Sequence, residues 1–318
     1  MVNGARDDLL GEGEVNKGIL GGIAVAGLIA GIAHAEVLEI RGELAAPNRE
    51  ASLLRSIAID RIEGQDGEAL ARAIEQGLSG THFDLMGGRA GRNNAEGALT
   101  GGVTTGVDES PFRRREKRCV EKDSANQKKC IREEEVEVRC RRRIVSVKAD
   151  LRLVRNRDGR IVYSVTKPFT QESSWCEGRE DRPAPVEEVI ADAIRNLGYS
   201  VRGDIAPTLS TYSIRVRESD KGMAKDQAKR FKELVKLTKR DGRGACAGWA
   251  ALAPEVPNHP SITFDLGLCA EQAGQYEKAL ELYHAAARAG ASEGREGADR
   301  AIRLIAGRED AAIRARWR

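Results

Sequence analysis

Six cysteines are the residues whose type and spacing point most clearly to chemistry: Cys119, Cys130, Cys140, Cys176, Cys246 and Cys269. An even number of cysteines is typical of a chain that forms disulfide bonds in an oxidising compartment. A zinc site is the competing interpretation, but no C-x-x-C spacing occurs and the chain has only 4 histidines. We therefore predict structural disulfides and no metal site. A catalytic thiol is not expected, because no cysteine forms a recognisable catalytic set with a histidine.

A predicted β-hairpin positions two of these cysteines. Residues 133–154 alternate between apolar and charged side chains, as β-strands do. A three-residue loop at 157–159, with glycine in the left-handed position, would set the register of the hairpin. That register places Cys140 directly opposite Cys176, within reach of a disulfide.

The other four cysteines are paired by similar reasoning. A four-residue turn at 123–126 would place Cys119 opposite Cys130 in a second hairpin. The remaining pair, Cys246 with Cys269, would join neighbouring helices of the C-terminal region. The sequence thus predicts one specific set of three bonds.

The rest of the sequence offers no catalytic constellation. No Ser/His/Asp set stands out, and the glycine-rich stretch 87–91 lacks the pattern of a phosphate loop. Two basic clusters, at 113–118 and 139–143, could bind phosphate or an acidic partner. We favour a solvated strand face, because glutamates lie beside them and no aromatic residues interleave. The net charge of +3 gives no overall attraction to nucleic acid, so we expect no enzyme, no cofactor and no nucleic-acid partner.

An uncharged apolar run at 18–35 predicts export. It ends in Ala33-His34-Ala35, the small-x-small pattern of a signal-peptidase site. Its apolar part, about 15 residues, is short for a membrane span of about 20. Acidic residues precede the run, unlike a signal peptide, and a translation start at Val15 would remove them. We predict that 1–35 is a signal region cleaved before Glu36, and that membrane association requires this segment to remain uncleaved.

Residues 260–293 show the spacing of a helical repeat. Small residues recur where two antiparallel helices would approach, and larger ones where they would fill the seam: Leu266, Gly267, Gly274, Tyr276, Ala279, Tyr283 and Ala286. The segment resembles a tetratricopeptide repeat, which implies a protein-binding groove and no catalysis. A divergent unit precedes it, with a first helix at 223–238 and matching sites at Ala245 and Trp249. A further amphipathic helix is expected at 294–306. So short an array should lean on the preceding domain for stability.

The middle of the chain has a mixed order of elements. Strands are expected at 53–62, 83–86, 98–107 and 212–216, helices at 66–79 and 186–205, and a glycine-rich linker at 87–97. The order, the "SIAID…EALARAIEQGLS…FDLM" opening and the "LTGGVTTGV" strand resemble the CsgG and TolB-N-terminal-like envelope proteins. That resemblance implies a role in outer-membrane secretion, cell-wall synthesis or trans-envelope assembly. An arginine-rich insert at 112–140 departs from the family pattern.

The sequence as a whole predicts an α+β protein in two parts. Residues 36–218 would form a mixed, sandwich-like α/β domain: strand–helix–strand, an antiparallel meander, then helix–strand. Residues 219–318 would form an all-α array of tetratricopeptide-type hairpins with a C-terminal cap. The expected function is that of a non-enzymatic, periplasmic or otherwise exported bacterial envelope protein that binds partner proteins through the array. The alternative is an oligomeric secretion or outer-membrane assembly accessory that self-associates through its CsgG-like domain.

Overall fold

The computed structural model describes residues 36–178 and 182–317 of the chain. The predicted signal region and its proposed start at Val15 lie outside the described residues. The strands are β1 (Val37–Leu44), β2 (Ser56–Glu63), β3 (Asp84–Met86), β4 (Gly97–Lys122), β5 (Cys130–Arg155), β6 (Arg160–Cys176) and β7 (Thr208–Arg215). The helices are α1 (Arg49–Ser52), α2 (Gly67–Leu78), α3 (Gly88–Asn94), α4 (Val186–Ile205), α5 (Lys225–Leu237), α6 (Gly242–Leu252), α7 (Pro260–Gln272), α8 (Tyr276–Arg288) and α9 (Glu293–Ala315). This content confirms the predicted α+β class.

The larger sheet has five strands in the order β3-β2-β4-β5-β6. β2 runs parallel to β3 and β4, whereas β4, β5 and β6 form an antiparallel meander. Helices α2 and α4 share a hydrophobic core with one face of this sheet, to which β5 contributes Val147, Ala149 and Leu151. Because side chains alternate along a strand, Lys148 and Arg152 are exposed on the opposite face. The sheet therefore has one covered face and one open, polar face.

A separate two-stranded ribbon joins the two ends of the α/β region. β1 pairs antiparallel with β7, from Val37 opposite Arg215 to Leu44 opposite Thr208. The strand predicted near 212–216 is present as β7, but it pairs with β1, which the sequence pattern did not single out. The ribbon buries Leu38 in the helical core, next to Phe231 and Trp249. That core therefore contains residues from both sides of position 218.

The C-terminal helices pack one after another, and the ribbon covers the face shared by α7 and α9. The Gln272 side chain of α7 donates to the Glu39 carbonyl (2.7 Å), and the Ala45 N–H donates to the Arg303 carbonyl of α9 (3.1 Å). A Cβ atom at Gly307 would lie 2.0 Å from the Glu43 carbonyl oxygen, so only glycine allows α9 to approach β1 this closely. These contacts place β1 against the face shared by α7 and α9.

The predicted linker at 87–97 is wrong, because it contains helix α3. A Cβ at Gly91 would lie 2.8 Å from the Met86 carbonyl carbon, so glycine serves here for close packing of a helix. The strand expected at 53–62 begins only at Ser56, since the short helix α1 ends just before it. The helices expected at 223–238 and 294–306 are present as α5 and α9, and the helix expected at 186–205 is α4.

The hairpin loops are longer than predicted. The β5–β6 loop spans residues 156–159, where Gly159 has a φ of 71°. The strand pairing shifts by one residue between Leu153 and Val154, which compensates for the longer loop. From Leu153, opposite Tyr163, the pairing therefore follows the predicted register. The β4–β5 loop spans residues 123–129, so the predicted turn at 123–126 is wrong. There the Asp123 N–H donates to the Lys129 carbonyl (2.9 Å).

Candidate functional site

All six cysteines form disulfide bonds, in the pairs that the sequence predicts: Cys119–Cys130, Cys140–Cys176 and Cys246–Cys269. Cys140 and Cys176 lie directly opposite each other in the β5–β6 register, and both are buried beside Val138. Cys246 and Cys269 join α6 to α7. Three disulfides fit an exported protein, because cytosolic reductants keep thiols reduced.

The Cys119–Cys130 bond lies at the end of a two-stranded arm. We use "arm" for residues 113–122 of β4 and 130–139 of β5, which extend past the last paired residue of β6. At about 3.3 Å per residue the arm is roughly 30 Å long. Cys130 is opposite Lys122 rather than Cys119, yet the two cysteine Cα atoms are 5.7 Å apart, within the range of a disulfide. The bond therefore fixes the outer end of the arm.

The arm is charged, and it contributes no residue to either large hydrophobic core. Its β4 side is mostly basic and its β5 side mostly acidic. Salt bridges cross between the strands, from Arg113 to Glu137 (3.0 Å) and from Arg132 to Glu121 (3.4 Å). Part of the basic cluster is thus solvated and paired, as predicted. The side chain of Ile131 near the outer end of the arm is 58% exposed.

A cleft of about 640 Å³ lies at the base of the arm. Phe112 and Trp175 line it together with Arg113, Arg139 and Arg141. Arg113 lies directly opposite Arg139 in the β4–β5 register, and opposed like charges repel. Arg113 has Glu137 as a partner, whereas Arg139 forms no salt bridge within the described residues. This arm cleft combines surplus positive charge with aromatic walls, which suits an acidic ligand.

The residues of the predicted repeat signature lie in α7, α8 and the turn between them: Leu266, Gly267, Gly274, Tyr276, Ala279, Tyr283 and Ala286. Tyr283 is fully buried, and a Cβ at Gly267 would lie 2.7 Å from its ring. Gly274 has a φ of 73° in the turn. The Tyr276 hydroxyl points toward β1, 3.3 Å from a Cβ placed at Gly42. The contacts described for Gly267, Tyr276 and Tyr283 are packing contacts within the folded chain.

A buried carboxylate that the sequence analysis missed lies within this packing. Glu271 is fully buried and accepts hydrogen bonds from Tyr212 of β7 (2.6 Å), Tyr283 of α8 and Arg300 of α9 (2.6 and 2.7 Å). Burial, together with the bond to Glu271, raises the pKa of Tyr212. The sequence contained a signal for this burial: Glu271 lies seven residues after Phe264, which is helical spacing and places the glutamate on the apolar stripe of α7. The cluster ties the ribbon to three helices.

A second cleft, of about 720 Å³, opens beside the end of α9. We call it the C-terminal cleft, and it is lined by Glu43, Arg55, Thr81, His82, Asp84, Ala311, Arg314, Ala315 and Trp317. The His82 Nε2 atom is 2.8 Å from the Ser52 carbonyl oxygen, and the His82 ring centroid is 6.0 Å from that of Trp317. Burial, opposed by that hydrogen bond and assisted by the charge of Arg314, lowers the pKa of His82 to about 4.

The pKa of His82 predicts a pH dependence of stability. In the unfolded chain His82 binds a proton as the pH falls below its ordinary pKa of 6.5. In the folded chain it stays neutral until the pH reaches about 4. Stability should therefore fall as the pH drops from 6.5 toward 4, by roughly 2 kcal/mol after discounting for solvent screening. Urea unfolding of the wild type and of His82→Phe at both pH values measures this loss.

The variant is the control for other titrating groups. Asp265, whose pKa burial raises well above its usual range, titrates in both proteins, so its effect cancels in the difference. An equal loss of stability in wild type and His82→Phe would contradict the assignment to His82.

Within residues 36–178 and 182–317, no group of three or more His, Cys, Asp or Glu side chains is arranged to hold a metal ion. In the same part of the chain no helix has both the length and the apolar character needed to cross a membrane.

Comparison with known proteins gives only distant likenesses. No family model matches the sequence, and no curated protein matches it. Two solved PelC dodecamers from Paraburkholderia phytofirmans are each 16% identical, with TM-scores of 0.26 and 0.27. They cover 53% and 54% of this chain and 95% and 98% of their own. A minor lipoprotein from Acinetobacter baumannii is 11% identical with a TM-score of 0.21, covering 46% of this chain and 88% of its own. TM-scores below 0.5 do not establish a shared fold.

Proposed function

We propose that this chain is a non-enzymatic, exported protein of the cell envelope that binds partner proteins. The three disulfides support export, since such bonds persist in oxidising compartments. The sequence predicts that partners dock on the tetratricopeptide-type array. In the folded chain the ribbon covers the surface that α7 and α9 share. A partner of the array would therefore dock on the outward sides of its helices. The main docking surface in this proposal is the arm.

The observation that carries the proposal is the arm cleft. It places Arg139, which has no salt bridge within the described residues, opposite Arg113, and Phe112 and Trp175 line the same cleft. An acidic segment of a partner protein would relieve the repulsion between these arginines and cover the exposed ring of Phe112. Aromatic and arginine side chains are also the residue types enriched at the energetic centres of protein interfaces. The expected partner surface thus carries carboxylates next to apolar residues.

Charge reversal at the arm cleft tests this proposal. Full-length protein with intact disulfides is crosslinked in the periplasm, and the captured partner is then purified and titrated against it. Arg113→Glu with Arg139→Glu should weaken that binding by about tenfold or more, because opposed charges become like charges. The wild-type affinity should fall as ionic strength rises.

A matched variant on the open face of the sheet is the control. Lys148→Glu with Arg152→Glu makes the same change in net charge at two exposed positions, and it should leave binding unaltered. Lys278→Glu with Glu281→Lys, on the exposed side of α8, tests the array. If the arm variant binds as tightly as wild type and the α8 variant does not, the array is the docking surface and the assignment to the arm is wrong.

One observation favours the second candidate, an oligomeric accessory that self-associates through its CsgG-like domain. β2 pairs with β4 only as far as Gly102, so the outer edge of β4 beyond that point lies open within the described residues. Val107 and Val120 are 46% and 43% exposed along it. An open strand edge with apolar residues is a template for pairing with another chain. Native mass spectrometry distinguishes the two, because a monomer excludes the oligomer.

A further inference from the structure

The arm has an open strand edge on each side. β2 pairs with β4 only as far as Gly102, and β6 pairs with β5 only as far as Cys140. Within the described residues, no strand lies beside residues 113–122 on the outer side of β4, or beside residues 130–138 on the outer side of β5. The N–H and C=O groups along such edges can form a ladder with a further strand. The arm can therefore accept a strand on either side.

The two strands of the arm carry opposite net charge. Residues 113–122 of β4 contain six basic and two acidic residues, so this strand is positive. Residues 130–139 of β5 contain four acidic and two basic residues, so this strand is negative. One edge of the arm is therefore basic and the other is acidic.

The charges that the single chain leaves unpaired follow the same division. Arg115 and Lys117 of β4 form no salt bridge within the described residues, and neither do Glu133 and Glu135 of β5. All four side chains are exposed. They point to one face of the arm, because Lys117 lies directly opposite Glu135 and side chains alternate along each strand. Arg139, at the base of β5, is the basic exception on the acidic strand.

These charges discriminate between the possible pairings of two copies of the chain. An edge of β4 against β4, or of β5 against β5, would place like charges opposite each other, which is destabilising. The edge of β5 against the β4 edge of a second copy would place acidic residues opposite basic ones. The folded chain already contains this kind of pairing, since Lys117 lies opposite Glu135 on the inner side of the arm. A second basic strand fits the outer side of β5 for the same reason.

We propose that the outer edge of β5 in the arm of one copy pairs antiparallel with the outer edge of β4 in the arm of a second copy. In the register that satisfies the unpaired charges, Arg115 of one copy lies opposite Glu135 of the other. Lys117 then lies opposite Glu133. This inference rests on the second candidate function, self-association, and names the surfaces that produce it.

The proposed contact determines the type of assembly. It joins two different surfaces, and each copy presents both of them. Contacts of this head-to-tail kind close into a ring or extend as a filament, whereas a contact between identical surfaces gives a twofold dimer. Wild-type protein should therefore form assemblies larger than a dimer at low ionic strength, and these should dissociate as salt screens the charges.

A charge-exchange variant of the full-length protein tests which edges meet. Arg115→Glu, Lys117→Glu, Glu133→Arg and Glu135→Lys together leave the net charge unchanged and remove no salt bridge of the described chain. The variant should retain self-association, because the exchanged positions remain complementary. Its association with wild type should be at least tenfold weaker, because like charges would then meet. Native mass spectrometry of isotopically labelled wild type mixed with unlabelled variant should show separate oligomers.

The half exchange gives an independent measurement. Arg115→Glu with Lys117→Glu should weaken self-association about tenfold. Lys148→Glu with Arg152→Glu, on the open face of the sheet, makes the same change in net charge and should leave association unaltered. The arm contributes no residue to either large core, so these variants should fold.

The outcomes separate this inference from the function on which it rests. Mixed oligomers of wild type and the charge-exchange variant, or full association of the half exchange, would overturn the proposed pairing and leave self-association standing. A wild type that stays monomeric at low ionic strength would overturn both.

Discussion

Replacing Glu271 by alanine is expected to lower the free energy of unfolding by about 3–5 kcal/mol. The substitution leaves Arg300, whose side chain is 18% exposed, without the carboxylate that compensates its charge. It also removes the acceptor of the Tyr212 and Tyr283 hydroxyls. An uncompensated charge inside a core costs more than the intact pair contributes, because the desolvation penalty remains. Urea unfolding followed by circular dichroism measures the change.

A surface pair in the same helices provides the control. Glu277 of α8 forms a salt bridge with Arg308 of α9, and both side chains are about half exposed. Exposed pairs of this kind contribute only about 0–1 kcal/mol, so Glu277→Ala should leave stability within that range. Equal effects of Glu271→Ala and Glu277→Ala would show that the Glu271 cluster does not stabilise the helical core.

Loss of the Cys246–Cys269 disulfide is expected to have the second large effect. This bond links α6 to α7 across a sequence separation of 23. Closing a loop of this length restricts the unfolded chain and stabilises the fold by about 3 kcal/mol. The double variant Cys246→Ala with Cys269→Ala should therefore unfold at a lower urea concentration, with Trp249 fluorescence as the signal in a background where Trp175 and Trp317 are replaced by phenylalanine. Trp249 is fully buried in α6, so its emission reports the helical core.

The arm disulfide is the matched control for that experiment. Cys119 and Cys130 lie where no residue contributes to either large core. The arm can open locally without exposing those cores, so Cys119→Ala with Cys130→Ala should change the Trp249 transition by less than about 1 kcal/mol. A loss as large as that of the α6–α7 pair would show that the arm unfolds together with the cores.

The ribbon explains how so short a helical array is stable. Stacked helical repeats need about three units to bury their own faces, and here strands from the two ends of the α/β region complete the core of the C-terminal helices. Ile40 of β1 is fully buried there, and Val216, just after β7, is 3% exposed. Truncation of residues 219–318 would expose these side chains. Point variants on the outer surface therefore test the array more cleanly than its removal.

Local chemistry alone determined part of this architecture. The alternation of apolar and charged residues along β5, together with Gly159 in the turn, predicted that Cys140 lies opposite Cys176. The position of the turn determines which residues of a hairpin are paired. The apolar periodicity of 186–205 likewise predicted α4 with the observed bounds. The buried face of an amphipathic helix is visible in the sequence as apolar residues at helical spacing. The tetratricopeptide character of the array and its partner binding stay predictions.

Tertiary structure decided the rest. Pairing of β1 with β7 joins residues as distant as Val37 and Arg215, and no local pattern encodes which strand a segment will find across that separation. The loop at 123–129 and helix α3 depended on bulges and close packing that composition alone does not reveal. The sequence analysis did not single out Glu271 and Arg300 as partners, because a side chain's partner is fixed only when separate helices meet. For the same reason neither cleft could be read from the sequence: each is built from segments that only the folded chain brings together.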